Sequence, residues 1–252
     1  MHLLTLFRRT TAAIGIALAA LAVVAPAQAF AQALDDYRSA ASGNWATAAT
    51  WERFDGSTWV AAVASPTSAN GVITIRSGHT VTIAASGLSY DQVVVDAGGQ
   101  VTVAATVTST LANGTGTDLT INGTWLNSGG TWTVTGATWS VGPGGTYIHN
   151  TISGIATPLG VATLDPASNF IYRGSSTLVP ALSTSGRTYG NLAFESTSGF
   201  YTVGPSGAGT LTINGDFTIG GGVLKCLTSS PVNTAATPGI DLAASVFTEM
   251  RA

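Results

Sequence analysis

The sequence predicts an all-β protein, a right-handed parallel β-helix with a tryptophan-rich N-terminal cap. After residue 34 almost no helical pattern appears, and short β-branched runs recur between Gly, Asn and Ser residues. Each run sets an apolar residue, a small or polar residue and a second apolar residue in a row, the period-two pattern of a strand with one buried face. The runs cover residues 73–75, 81–83, 93–95, 101–103, 119–121, 132–134, 139–141, 170–172, 192–194, 211–213 and 217–219.

The spacing of these runs favours stacked coils. Four of them, which begin at Val81, Val101, Leu119 and Trp139, start 20, 18 and 20 residues apart, about one coil of a solenoid. The pentapeptide Leu-Thr-Ile-Asn-Gly also occurs twice, at a separation of 92 residues or four coils of 23. The alternative is an antiparallel β-sandwich, in which the Asn-Gly pairs of the sequence would form hairpin turns.

Residues 1–33 are predicted to be a cleavable signal peptide. Arg8 and Arg9 precede an apolar run of about thirteen residues, and small-residue cleavage patterns end at Ala29 and at Ala33. The run is too short to span a bilayer core of roughly 30 Å, and no later apolar run is long enough to cross a membrane as a helix. We therefore expect cleavage near one of these alanines and a mature protein that is extracellular, at the cell surface or in the periplasm.

The remaining chain divides into three predicted segments. Residues 34–70 form the cap, residues 71–224 the β-solenoid, and residues 225–252 an irregular tail that contains Pro231 and Pro238 and lacks alternation. An open solenoid end exposes strand edges that template further pairing. The tail therefore suggests a truncated end, and a chain that belongs to a longer fibrous assembly.

Composition excludes several classes of partner. Removing Arg8 and Arg9 with the signal leaves seven basic and twelve acidic side chains, a formal charge of −5. Nucleic acids and anionic lipids need a basic footprint, so neither is expected. The single cysteine, Cys226, cannot form an internal disulfide, and neither it nor His149 has a partner at metal-ligand spacing. No cofactor or metal is predicted, since phosphate-loop and dinucleotide fingerprints are also missing.

Two sets of segments carry a family resemblance. The first set is Tyr37-Arg38-Ser39 through Ser42-Gly43-Asn44-Trp45, Ala49-Thr50-Trp51-Glu52, Ile75-Arg76-Ser77-Gly78-His79-Thr80-Val81-Thr82 and Asp91-Gln92-Val93-Val94-Val95. The second set is Tyr172 with Gly174, Tyr189-Gly190-Asn191-Leu192 and Leu211-Thr212-Ile213-Asn214-Gly215.

The first set resembles the N-terminal module, similar in pattern to the G8 type, of large bacterial secreted and cell-surface proteins of the adhesin type. The second set looks like the β-solenoid repeats that follow this module in those proteins. The resemblance covers about residues 37–222. It implies a secreted or surface-exposed β-solenoid with an adhesive or scaffolding role.

Catalytic chemistry has only weak candidates. Polysaccharide lyases and hydrolases need a pair of carboxylates, or an Asp cluster with a nearby Arg or Lys, whereas the acids of this chain are scattered singly beside turn residues. The most site-like pair is Arg76 and His79, to which Asp91 or Asp96 of the next coil could add a carboxylate. The alternative is a surface turn at Gly78, and we expect no catalytic residues.

The tryptophans suggest a second kind of site. Trp45, Trp51 and Trp59 cluster before the first regular strand, where exposed rings could form a platform for glycans. The favoured alternative is that they cover the open end of the first coil. Three further tryptophans recur every seven residues, and the sequence leaves open whether they form a core or a surface ladder: Trp125, Trp132 and Trp139.

The function predicted from these observations is non-enzymatic. We expect a secreted or cell-surface β-helix protein with an adhesion or scaffolding role, whose partners are glycans or cell-surface components. One alternative is a polysaccharide-active lyase or hydrolase on the same fold. Another is a purely structural repeat segment of a longer surface protein.

Overall fold

The computed structural model describes residues 32–151, 155–174, 187–203, 211–226, 232–234 and 250–251. The predicted signal peptide lies outside these residues except for its last two positions. Of the predicted tail, the structure describes only the end of one long strand and two short strands, and the rest lies outside the described ranges.

Nearly all regular structure in the described part of the chain is β. The strands are β1 (Tyr37–Ser39), β2 (Gly43–Asn44), β3 (Trp51–Phe54), β4 (Trp59–Ala61), β5 (Ile73–Ile75), β6 (Thr80–Ile83), β7 (Leu88–Tyr90), β8 (Val93–Val95), β9 (Gln100–Val103), β10 (Thr108–Leu111), β11 (Leu119–Ile121), β12 (Thr124–Asn127), β13 (Thr131–Val134), β14 (Trp139–Val141), β15 (Thr146–His149), β16 (Ala162–Leu164), β17 (Asn169–Tyr172), β18 (Thr188–Tyr189), β19 (Asn191–Val203), β20 (Leu211–Ile213), β21 (Phe217–Cys226), β22 (Val232–Thr234) and β23 (Met250–Arg251). A 3-10 turn spans Ala48–Thr50 and a short helix, α1, spans Ala156–Leu159.

These strands stack into a parallel β-solenoid of about five coils, which confirms the predicted fold class. Sheet A has the order β16-β14-β11-β8-β5-β1-β3-β4, and sheet B the order β2-β6-β9-β12-β15-β17-β19-β21-β23. Sheet C consists of β13-β10-β7, and a fourth sheet of β18-β20-β22. The coil-to-coil pairs are parallel, so the antiparallel sandwich is excluded.

The register of each sheet places inward side chains directly above one another. In sheet B one inward row contains Val81, Val101, Trp125, Tyr147, Phe170 and Leu192. Members of this row are at most 2% exposed, while the alternate positions face outward. Burying one such side chain contributes about 1.5–3 kcal/mol, so the period-two pattern stabilises every coil of sheet B.

Aromatic rings fill much of the interior. Trp125, Trp132 and Trp139 are all buried, so the question that the sequence left open is answered in favour of the core. Their neighbouring ring centroids lie 5.7 and 5.2 Å apart, and the row continues through Tyr147 to Phe170. Such offset and edge-on contacts add about 0.5–1.5 kcal/mol each beyond burial.

The N-terminal end carries the predicted tryptophan-rich cap. Strand β1 pairs in parallel with β5 of the first coil and antiparallel with β3, and β4 pairs antiparallel with β3. Trp45 and Trp51 lie buried beneath this short antiparallel extension. The cap thus covers the open end of the first coil with large apolar side chains.

Candidate functional site

The outer face of the cap carries a connected set of charged and aromatic side chains. In the antiparallel pairs Arg38 lies opposite Glu52, and Phe54 lies opposite Trp59, so all four project from the same face. Arg38 Nε donates to Glu52 Oε2 at 2.7 Å. The Arg38 guanidinium carbon lies 4.3 Å from the centroid of the Trp59 ring, a cation–π contact, and the Phe54 ring lies 5.4 Å from that of Trp59.

Arg76 extends this set along the corner between sheets A and B. Its Nη1 lies 3.6 Å from Glu52 Oε2, so one carboxylate faces two guanidinium groups. We call Arg38, Glu52, Phe54, Trp59 and Arg76 the cap surface. Its charged side chains are 29–41% exposed, and exposed ion pairs stabilise by only about 0.2–1 kcal/mol. These ion pairs therefore fix the relative positions of the side chains and add little to the stability of the fold.

Asp96 lies on the neighbouring coil beside Arg76. Burial raises the pKa of Asp96, and the positive charge of Arg76 acts in the opposite direction. Two of the predicted residues, Arg76 and Asp96, are therefore electrostatic neighbours.

His79 pairs with a serine rather than with Asp91 or Asp96. Ser39 Oγ lies 2.8 Å from His79 Nδ1 and accepts the Arg76 N–H at 2.9 Å. Since the Arg76 amide occupies one lone pair, the Ser39 hydroxyl is placed to donate to His79 Nδ1. The contact has the form of a nucleophile and a base, yet Ser39 is fully buried and cannot reach a substrate.

The three clustered tryptophans of the cap divide between core and surface. Trp45 and Trp51 are at most 1% exposed, and their indole N–H groups donate to the backbone oxygens of Pro66 and Trp45 at 3.1 and 2.7 Å. Their rings therefore offer no face to a glycan, and this part of the predicted platform is wrong. Trp59 alone lies on the outer face, half-buried against Arg38.

Asp91 meets a carboxylate that the sequence did not single out. Asp91 follows β7 and Asp118 precedes β11, so the two acids lie on adjacent coils, where they are hydrogen-bonded to each other. They are 7% and 0% exposed. Burial, followed by the hydrogen bond to Asp118, raises the pKa of Asp91 to about 6. Burial also acts to raise the pKa of Asp118, but hydrogen bonds from the Thr138 and Gly114 amides outweigh it and hold that pKa below its usual value.

A shallow pocket of about 250 Å³ lies on the outer face of sheet B. Its polar lining includes Asn169, Asn191, Glu195, Asp216 and Thr218. The two side-chain amides are hydrogen-bonded to each other, since Asn191 Nδ2 donates to Asn169 Oδ1 at 3.1 Å. Asn191 Oδ1 also accepts the Asp216 N–H at 2.8 Å. The pocket is a second polar surface on which hydroxyl groups could bind.

Some of these residues could have been found from the sequence. Arg38 stands between two buried residues of β1, and Glu52 follows the buried Trp51 of β3, so pairing β1 with β3 would have placed them together. Asp118 carries a weaker signal, because its contact with Asp91 depends on the length of the loop between β10 and β11.

Within the described ranges, no three His, Cys, Asp or Glu side chains come together in a way that could hold a metal ion. Helices in the same ranges fall short of the length and apolar character that crossing a bilayer requires.

Comparison with known proteins identifies no family, since no family model, no curated protein and no solved structure matches the chain.

Proposed function

We propose that the chain is an exported, non-enzymatic β-helix protein that acts outside the cytoplasm in adhesion or scaffolding, by binding glycans at the cap surface. The observation that carries the proposal is the outward array of Trp59, Arg38, Glu52 and Arg76 on and beside the paired strands of the cap. The predicted signal peptide and the resemblance to adhesin-type proteins support the location.

The chemistry of the cap surface suits a sugar. An indole ring offers an apolar face to the C–H groups of a pyranose, and neighbouring guanidinium and carboxylate groups donate to and accept from its hydroxyls. The strand pairs fix the spacing of these groups, so little side-chain order has to be gained on binding. The moderate exposure of the charged side chains leaves them accessible.

The polar pairs in the described residues are poorly placed for catalysis, which favours a binding role. Asp91 and Asp118 are buried, and the oxygens of Asp118 already accept two backbone N–H groups. Glycosidases keep their two carboxyl groups about 5 Å or more apart so that substrate or water fits between them. Carboxyls that are hydrogen-bonded to each other leave no such space.

The test is a glycan array probed with the purified exported protein and two variants. Trp59→Ala is expected to weaken binding at least tenfold, because the ring provides the stacking face. Val63→Ala is the matched control, since Val63 is 94% exposed and lies beyond the cap surface. An exported protein that binds no glycan and no cell surface would contradict the adhesive role.

A third variant separates the two polar surfaces. Asn191→Ala removes the central amide of the sheet B pocket and leaves the cap surface intact. Loss of binding in this variant, with Trp59→Ala unaffected, would mean that glycans bind at the pocket and that the cap surface is wrongly assigned.

A further inference from the structure

The loop between β10 and β11 is attached to the coil beneath it by two carboxyl groups. Gly114 of this loop donates its N–H to Asp118 Oδ1 at 2.7 Å, and Thr138 of the following coil donates to Asp118 Oδ2 at 2.6 Å. Asp91 reaches the same point from below, because a Cβ added at Gly114 would overlap its Oδ2. The absence of a side chain at Gly114 is what lets the two carboxyls meet.

Hydrogen bonding between two carboxyl groups requires one proton. Both oxygens of Asp118 accept backbone N–H groups, which favours its anionic form, whereas Asp91 accepts one, from Gln92 at 2.7 Å. The proton therefore resides mainly on Asp91, which donates it to Asp118.

We infer that the proton shared by Asp91 and Asp118 fastens the 112–118 loop to the neighbouring coil, so that this loop is held more tightly in mild acid than above neutral pH. When the proton is lost, two like charges face each other inside a buried corner, and their repulsion opens the contact.

The surroundings offer little compensation for a second negative charge. The elements packed against the pair supply Gln92 from the coil of Asp91, Thr115 from the loop and Thr138 from the next coil, all neutral. Among the described residues no basic side chain contributes to the pKa of either carboxyl. Two contacts do not depend on the proton. Gln92 Nε2 donates to the backbone oxygen of Thr115 at 3.2 Å, and the Val93 N–H donates to the backbone oxygen of Asp118 at 2.9 Å. The loop is thus expected to loosen rather than to detach.

The direction of the pH effect follows from the two pKa values. The pKa of Asp91 is about 6 in the folded protein and about 4 in an unfolded chain, so its stabilising proton is fully present below pH 4 and is lost as the pH rises through 6. The pKa of Asp118 is lowered, so its contribution is lost only as the pH falls below 4. The fastening is therefore strongest between about pH 4 and pH 6.

Hydrogen exchange on the whole exported chain tests this inference. Peptides that cover residues 112–118 are compared at pH 5 and pH 7.5, with rates corrected for intrinsic exchange. We expect roughly tenfold faster exchange at pH 7.5, since pH 5 lies one unit below the pKa of Asp91, which is about 6, and one such unit corresponds to a factor of ten. Equal protection at the two pH values would overturn the inference.

Three variants and a control identify the pair as the cause. Asp91→Asn keeps the size of the side chain and donates permanently to Asp118, so the loop should be protected at both pH values. Gly114→Ala displaces the Asp91 carboxyl and should give low protection without pH dependence, and adding Asp91→Ala should relieve the overlap. Asp55→Asn, which changes an exposed carboxyl of the cap, is the matched control. Wild-type pH dependence in Asp91→Asn would also overturn the inference.

Discussion

Asn127 is a polar residue within the inward-facing rows of sheet B. It lies between Val103 and His149 in register and is 4% exposed. Its Nδ2 donates to the Gly130 oxygen at 3.1 Å, and its Oδ1 accepts the N–H groups of Gly129 and Gly130 at 3.2 and 2.9 Å. One side chain therefore satisfies the backbone of the corner between β12 and β13.

Replacing Asn127 by alanine is predicted to destabilise the protein by about 1–3 kcal/mol, because buried backbone groups would lose their partners. Urea unfolding measures the change. Asn113→Ala is the control, since Asn113 is exposed, and it should change the unfolding free energy by less than about 0.5 kcal/mol. Similar losses in both variants would show that the Asn127 amide is not what stabilises the corner.

At the residue scale the sequence predicted part of the candidate site. Arg76 and Trp59 were singled out and do lie on the cap surface. Their partners Arg38 and Glu52 were not, because only strand pairing brings residues 14 positions apart into contact. The Asp91–Asp118 pair was missed for a similar reason. Its contact depends on which residues of adjacent coils share a corner, and the spacing of the strands along the sequence does not determine this.

At the element scale, strands were predicted where the inward residues are apolar. The runs at 73–75, 93–95, 119–121 and 139–141 coincide with β5, β8, β11 and β14. Strands β10, β12 and β15 were not predicted, because one inward position of each holds a polar residue, respectively Ser109, Asn127 and His149. Such residues break the apolar–polar–apolar pattern although the interior accommodates them, as Ser109 shows by its 2.9 Å bond to the Tyr90 hydroxyl.

The corners between sheets A and B depend on glycine for space. Gly145 follows β14, and a Cβ there would overlap the Ile121 oxygen of the coil below and lie 3.0 Å from the Gly142 oxygen. Gly144, its neighbour, has a φ of +72° but faces open space. The two glycines are thus required for different reasons, one for close coil stacking and one for backbone conformation.

This difference gives a prediction at the element scale. Gly145→Ala should destabilise the protein by about 1–3 kcal/mol, because the added methyl forces two coils apart. Gly144→Asn should cost less, since Asn tolerates the left-handed conformation and its side chain points to solvent. The midpoints of urea unfolding are compared for the two variants. A lower midpoint for Gly144→Asn than for Gly145→Ala would contradict close stacking of the coils as the main constraint.

At the scale of the whole molecule, the solenoid is stabilised by contacts between neighbouring coils. In such architectures stability is a sum of terms from each coil and each interface, and the terminal unit must be covered. The aromatic rings make these interfaces continuous: Trp51 contacts Trp45, Trp45 contacts Tyr90, and Tyr90 contacts Trp125, with centroid distances of 4.9, 5.1 and 5.9 Å. The cap is thus joined to the interior through side chains as well as through β1.

Removing one ring from the cap should therefore unfold the molecule from that end. Trp51→Ala deletes a fully buried ring, which costs about 3–5 kcal/mol, and removes the bond to the Trp45 oxygen. Native-state hydrogen exchange is expected to accelerate in β1–β7 while β14–β17 keep their protection, since coils contact only their neighbours. Trp59→Ala, on the outer face of the same hairpin, is the control and should leave both regions unchanged. Equal acceleration in all coils would mean that the solenoid opens as one cooperative unit, and that the cap stabilises the whole rather than its own end.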